Sequence, residues 1–112
     1  MSLDCADHME LARFYARLLD VDGTLLWTHE NAATVESRGV VLVMQRIEDY
    51  QSPAWPGTSI VHLDLNGDAQ IGQLERRAIA LGARPAPTQP SSRWRALLDP
   101  AGHKFCITPF IP

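Results

Sequence analysis

An α+β fold made of two like halves is what the sequence predicts, and three observations predict it. Two amphipathic stretches of helical period, at about residues 7–19 and 69–81, each follow a short extended segment and precede apolar or β-branched runs. Landmarks recur at a near-constant spacing: Leu3-Asp4 with Leu63-Asp64 at an offset of 60, Leu19-Asp20 with Leu81-Gly82 at 62, and Met44-Gln45 with Phe105-Cys106 at 61. Between them, Glu48 to Gly57 carries Pro53, Trp55 and Pro56. Proline fixes φ and removes ladder donors, so this stretch is a loop and the natural link at mid-chain. Each half therefore reads strand, helix, then two or three strands in the same order. A ferredoxin-like sandwich is the rival, but it needs only two strands between its helices, and there is room here for three or more.

The elements follow in order. Leu3 to Asp7 is short and extended. Asp7 is placed as an N-cap, with Glu10 three residues on. Leu11, Phe14, Tyr15, Leu18 and Leu19 give the first helix one apolar face. Asp22-Gly23 is a turn. Thr24 to His29 is a strand by its aromatic and β-branched content. Val40 to Gln45 is nearly all apolar and reads as a strand buried on both faces or under a helix. Ser59 to Leu65 is the next strand, and Asn66-Gly67-Asp68 a turn with a second cap. Ile71, Leu74, Ala78 and Leu81 form the second apolar stripe, closed by Gly82, where positive φ costs glycine little. Ala83 to Ala86, with Pro85, is an edge strand; Gln89 to Ser92 is loop. Trp94 to Leu98 and Phe105 to Thr108 are strands, joined through Asp99-Pro100-Ala101-Gly102 in a type I turn.

A chain of 112 residues with 46% hydrophobic content is long enough to bury a core without covalent staples, and the length fits one domain: module one about 1–50, linker about 51–58, module two about 59–112. The net charge of −3 forms no basic stripe, which argues against nucleic acid. Two cysteines, Cys5 and Cys106, are too few for a disulfide framework and read as free thiols of a reducing, cytoplasmic compartment. No apolar run reaches the ~20 residues that span a bilayer, and no basic region leads into an apolar stretch at the start.

Three stretches carry a resemblance. Leu3-Asp4-Cys5-Ala6-Asp7 with Leu11-Ala12-Arg13-Phe14-Tyr15 is similar to the opening of glyoxalase-like domains of the actinobacterial type. His62-Leu63-Asp64-Leu65 with Ala80-Leu81-Gly82-Ala83-Arg84 is similar to the opening of their second half. Trp94 to Cys106, through Asp99-Pro100-Ala101-Gly102-His103, resembles their closing run. Together these identify the chain as similar to the glyoxalase/bleomycin resistance/dioxygenase (vicinal oxygen chelate) superfamily. The resemblance implies paired βαβββ modules forming a half-open, mostly antiparallel barrel around a cleft, with the helices outside. In metal-dependent members the ligands lie near the start of each module's first strand and on its last strand. The aligned positions here are Ser2, Gln45, His62 and Cys106, Ser2 because Ser2-Leu3-Asp4 matches His62-Leu63-Asp64. Metals of the Mg, Mn, Fe or Ni type need imidazole and carboxylate donors. Only His62 qualifies, so no metal or other cofactor is expected.

The candidate ligand-binding residues are His62, Gln45, Cys106, Trp94 and Trp55. His62 either lines the cleft or is a strand-edge histidine satisfied by its neighbours. Gln45 ends an apolar strand, and a polar group there must be paired to protein or ligand. Cys106 reads as a packing thiol, since no neighbouring cation or helix terminus is visible to activate it. Trp94 reads as cleft wall or core, with Arg93 and Arg95 facing away from it. Trp55 reads as a lid or a dimer contact. His8, His29 and His103 read as surface histidines. The expectation is a homodimeric small-molecule-binding protein with no intact metal site; a divalent-metal-dependent lyase, isomerase or dioxygenase and a structural interaction module are the alternatives.

Overall fold

The computed structural model describes residues 1–19, 25–53, 62–67 and 70–109. The chain divides between Ser52 and Pro53 into two compact units, each with one helix and one four-stranded sheet among the described residues. Module one contains β1 (Ser2–Cys5), α1 (His8–Leu18), β2 (Trp27–Thr28), β3 (Ala32–Ser37) and β4 (Val40–Arg46). Module two contains β5 (Leu63–Asn66), α2 (Ile71–Leu81), β6 (Arg84–Pro85), β7 (Arg95–Leu98) and β8 (Lys104–Thr108). The two sheets share one plan, β1-β4-β3-β2 and β5-β8-β7-β6. In each, the first strand runs parallel to the last and the other pairings are antiparallel. This is the expected α+β architecture of βαβββ modules, with open sheets.

The repeat holds at the level of hydrogen-bond register. Leu3 stands opposite Met44 and Asp4 opposite Gln45; Leu63 stands opposite Phe105 and Asp64 opposite Cys106. The helices correspond at 71 − 8 = 63 and 81 − 18 = 63, so Leu19 matches Gly82 as the residue closing each helix. The expected pairing of Leu19 with Leu81 is thus one residue out.

Local chemistry starts and stops these elements. The Asp7 carboxylate accepts from the Glu10 N–H at 3.0 Å, a cap of about 1 kcal/mol. α1 buries Leu11, Phe14, Tyr15 and Leu18 against β3 and β4. Beneath them Val35, Leu42 and Met44 are buried. β3 is absent from the sequence reading. It joins β4 through Arg38 and Gly39, both at positive φ (51° and 83°), as a two-residue primed turn demands. β4 alternates rather than being buried on both faces: Leu42 and Met44 are buried, whereas Val41 and Gln45 on the other face are exposed. His8 is likewise not a surface residue; only 9% exposed, its Nε2 lies 3.0 Å from the His29 carbonyl oxygen.

α2 is more lightly covered, with Ala78 its one fully buried residue. Gln70 is its N-cap and provides no side-chain bond; the expected cap at Asp68 lies outside the described residues, as do Thr24 and the start of the strand expected from Ser59. Gly82 ends the helix at φ 122°, and the Ala83 N–H reaches the Ala78 carbonyl at 2.9 Å. β6 is an edge strand, as its proline requires. In the turn between β7 and β8, the Gly102 N–H donates to the Asp99 carbonyl at 2.8 Å. The fully buried Asp99 carboxylate accepts from the N–H groups of Ala101 and His103.

Candidate binding site in module two

Strand periodicity sorts the second sheet into two faces. Phe105, Ile107 and Leu97 are wholly buried. Arg95 shares their parity and meets Glu75 of α2, Nε to Oε2 at 2.8 Å, which marks this as the helix side. Asp64, Cys106, Ala96 and Lys104 alternate with them and occupy the opposite side. There a cavity of about 370 Å³ is lined by His62, Asp64, Pro90, Trp94, Lys104, Cys106 and Thr108.

The wall of the cavity is built by side-chain hydrogen bonds as well as by the sheet. The Gln89 amide donates to the carbonyls of Ala86 (3.1 Å) and Ala96 (2.9 Å) and accepts from the Ala96 N–H (2.9 Å). It thereby serves as a short stretch of strand beside β7 and fixes the loop carrying Pro90. Trp94 packs on the buried cluster of Ala86, Ala96 and Cys106.

The polar side is a tight group. His62 Nε2 lies 3.2 Å from Asp64 Oδ1, with side chains 30% and 47% exposed. Cys106 stands opposite Asp64 in the ladder, and ligand atoms of His62, Asp64 and Cys106 all lie within 4.8 Å of one another. Burial pushes the Cys106 thiol above its ordinary pKa; Lys104 pulls it down and Asp64 adds to the rise. Cys106 is therefore a neutral thiol on the cavity floor, unsuited to act as a nucleophile unaided.

Of the five expected residues, His62, Cys106 and Trp94 line this cavity. Gln45 belongs to module one, at the position that matches Cys106 of module two, and is exposed. Trp55 lies outside the described residues. The sequence reading passed over Asp64, Lys104 and Thr108. Their signal was parity: Asp64 is two residues from His62, and Lys104 and Thr108 are each two from Cys106. Asp64 also supplies the carboxylate partner that the aligned positions Ser2, Gln45 and Cys106 do not.

Two βαβββ modules of identical strand order, with a polar group on the last strand of the second, define the class of protein. The model of one family, the glyoxalase-like domain, matches residues 1–108, and the chain belongs to that family. No curated protein matches. Among solved structures, a glyoxalase/bleomycin resistance protein/dioxygenase family enzyme from Burkholderia phytofirmans PsJN superposes with a TM-score of 0.70 at 18% identity, over 96% of this chain and 93% of that one. The fosfomycin resistance protein FosX from Mesorhizobium loti gives 0.69 at 16% identity, over 96% and 86%. A glyoxalase/bleomycin resistance protein from Albidiferax ferrireducens T118 gives 0.66 at 18%, over 95% and 92%. At these identities the likeness is one of fold.

Proposed function

We propose that this chain binds a small, partly aromatic, carboxylated molecule, with the module-two cavity as its site. The observation that carries the reading is convergence: an aromatic wall (Trp94), two nitrogen-bearing donors (His62, Lys104) and a buried thiol floor line one cavity of about 370 Å³. That volume lies at the lower end of the range for small-molecule sites, in which a few polar groups orient a mostly apolar ligand. Trp94 offers a flat face for stacking, and Lys104 and His62 offer hydrogen bonds to a carboxylate. Family membership and the bleomycin- and fosfomycin-resistance proteins among the structural relatives support a binding role. Placement within the actinobacterial type rests on the three sequence motifs alone. A reducing cytoplasmic setting is part of the same reading, supported by Cys5 and Cys106 being free and buried; among the described residues no helix is long and apolar enough to cross a membrane.

The test is a thermal-shift panel on chelator-stripped protein, comparing aromatic carboxylates with their amides and with aromatic amines. Ligand at about 100 times Kd stabilises the folded state by roughly 2.7 kcal/mol. A rise in Tm confined to the carboxylates is expected. No shift with any member overturns the reading and favours an interaction module.

A further inference from the structure

The module-two cavity carries charge of both signs. Lys104 and Asp64 line it together with Trp94. The β5–β8 register sets Asp64 directly opposite Cys106, and Lys104 lies two residues before Cys106 on β8, so parity puts both charged residues on the cavity face. With a rise of about 3.3 Å per residue and strands about 4.8 Å apart, their backbones stand roughly 8 Å from one another. We propose that the ligand of this cavity is a zwitterion, an aromatic α-amino acid, and that Asp64 is the residue that selects its ammonium group. The inference rests on the carboxylate reading of the same cavity and narrows it.

A plain carboxylate meets opposed effects here. What it gains at the Lys104 ammonium it loses in part to Asp64, because like charges placed side by side repel, and such repulsion is a common source of specificity. An ammonium group on the same molecule turns that repulsion into attraction. Each fixed charge lining the cavity then has a partner of opposite sign.

Asp64 has room for the extra donor. An ionised carboxylate offers about four lone-pair sites. Its contact with His62 is made at one oxygen, Oδ1, at 3.2 Å, and the side chain is 47% exposed. Side-chain length suits the pairing as well. Asp64 is short and sits on a strand held in the ladder, so it defines one point for the ammonium. Lys104 has a flexible four-carbon stem and can follow the carboxylate to where the ammonium leaves it. Trp94, packed on Ala86, Ala96 and Cys106, supplies the face for the ring.

The test uses three probes that differ only in their charged groups: L-phenylalanine, 3-phenylpropionate, which lacks the ammonium, and 2-phenylethylamine, which lacks the carboxylate. Each is titrated calorimetrically into chelator-stripped protein near pH 7. L-phenylalanine is expected to bind at least roughly tenfold more tightly than either of the others, the usual effect of one hydrogen bond to a charged group. Asp64→Asn keeps the shape of the side chain and removes its charge. It should weaken L-phenylalanine by at least roughly tenfold and tighten 3-phenylpropionate, while Lys104→Gln should weaken both. Equal or tighter binding of 3-phenylpropionate by the unmodified protein, or a preference that survives Asp64→Asn, overturns the inference and leaves the carboxylate reading standing. Binding of 2-phenylethylamine as tight as that of L-phenylalanine, or no binding of any probe, overturns both. Should Asp64→Asn fail to fold, the comparison of the three probes on the unmodified protein decides.

Discussion

His62 shows how one residue's role depends on its partners. Its imidazole lies against the Asp64 carboxylate, yet both side chains keep substantial contact with water, and even a charged contact so exposed contributes little to stability, about 0–1 kcal/mol. Toward a carboxylated ligand in the cavity the same imidazole is a hydrogen-bond donor, worth about 1 kcal/mol and up to ~3 if its partner is left buried and unpaired. In metal-free protein, His62→Ala should therefore weaken ligand binding roughly five- to a hundredfold, at ~1.4 kcal/mol per decade, with little change in Tm. Calorimetric titration beside a melting curve checks both halves. A large fall in Tm would make His62 a structural residue. Cys106 differs: with 4% exposure and packing against Ala86, Ala96 and Trp94, it is core and cavity floor at once.

The junction between β5 and α2 depends on a glycine for reasons of space. A Cβ on Gly67 would stand 2.6 Å from Ile107 Cγ2, 2.9 Å from Ile71 Cγ1 and 3.3 Å from the Ile71 backbone. Ile107 is wholly buried on β8 and cannot swing away. The Gly67 N–H also donates to the Thr108 carbonyl at 3.0 Å, extending the ladder beside a cavity-lining residue. Gly67→Ala should cost about 1–3 kcal/mol, the usual penalty for overpacking. Denaturant unfolding should show a lower midpoint with the slope unchanged. An unaltered midpoint would mean that the junction relaxes freely. Gly82 meets a different demand: its φ of 122° is strained for any L side chain, while a Cβ would have room, 3.6 Å from Pro100 Cγ.

For the molecule as a whole, open sheets leave edges, and exposed edges are commonly covered by a second chain. In module one the edge strand β2 carries Trp27, 50% exposed beside Leu26 at 58%. In module two the edge strand β6 is blunted by Pro85, which has no N–H to offer a neighbour. We accordingly predict a homodimer at tens of micromolar, measurable by light scattering. A monomer at that concentration would count against it.

The sequence alone determined what depends on local chemistry and period. Helical spacing from Leu11 to Leu18 located α1, the Asp7 carboxylate its start, Gly82 the end of α2, and Asp99 to Gly102 the last turn. The offset near 60 reappeared as equivalent register in the two sheets, because one βαβββ plan constrains both halves. β3 escaped because Ala32-Ala33-Thr34-Val35-Glu36-Ser37 has weak strand character by itself; it is a strand because Arg38-Gly39 folds it onto β4 and α1 covers Ala33 and Val35. The site divides in the same way. Alignment singled out His62 and Cys106, 44 residues apart. Parity put Asp64 on the face of His62, and Lys104 and Thr108 on that of Cys106; only strand pairing decided that Asp64 stands opposite Cys106. A residue's neighbours across a sheet are set by register, and register is a property of the folded pair.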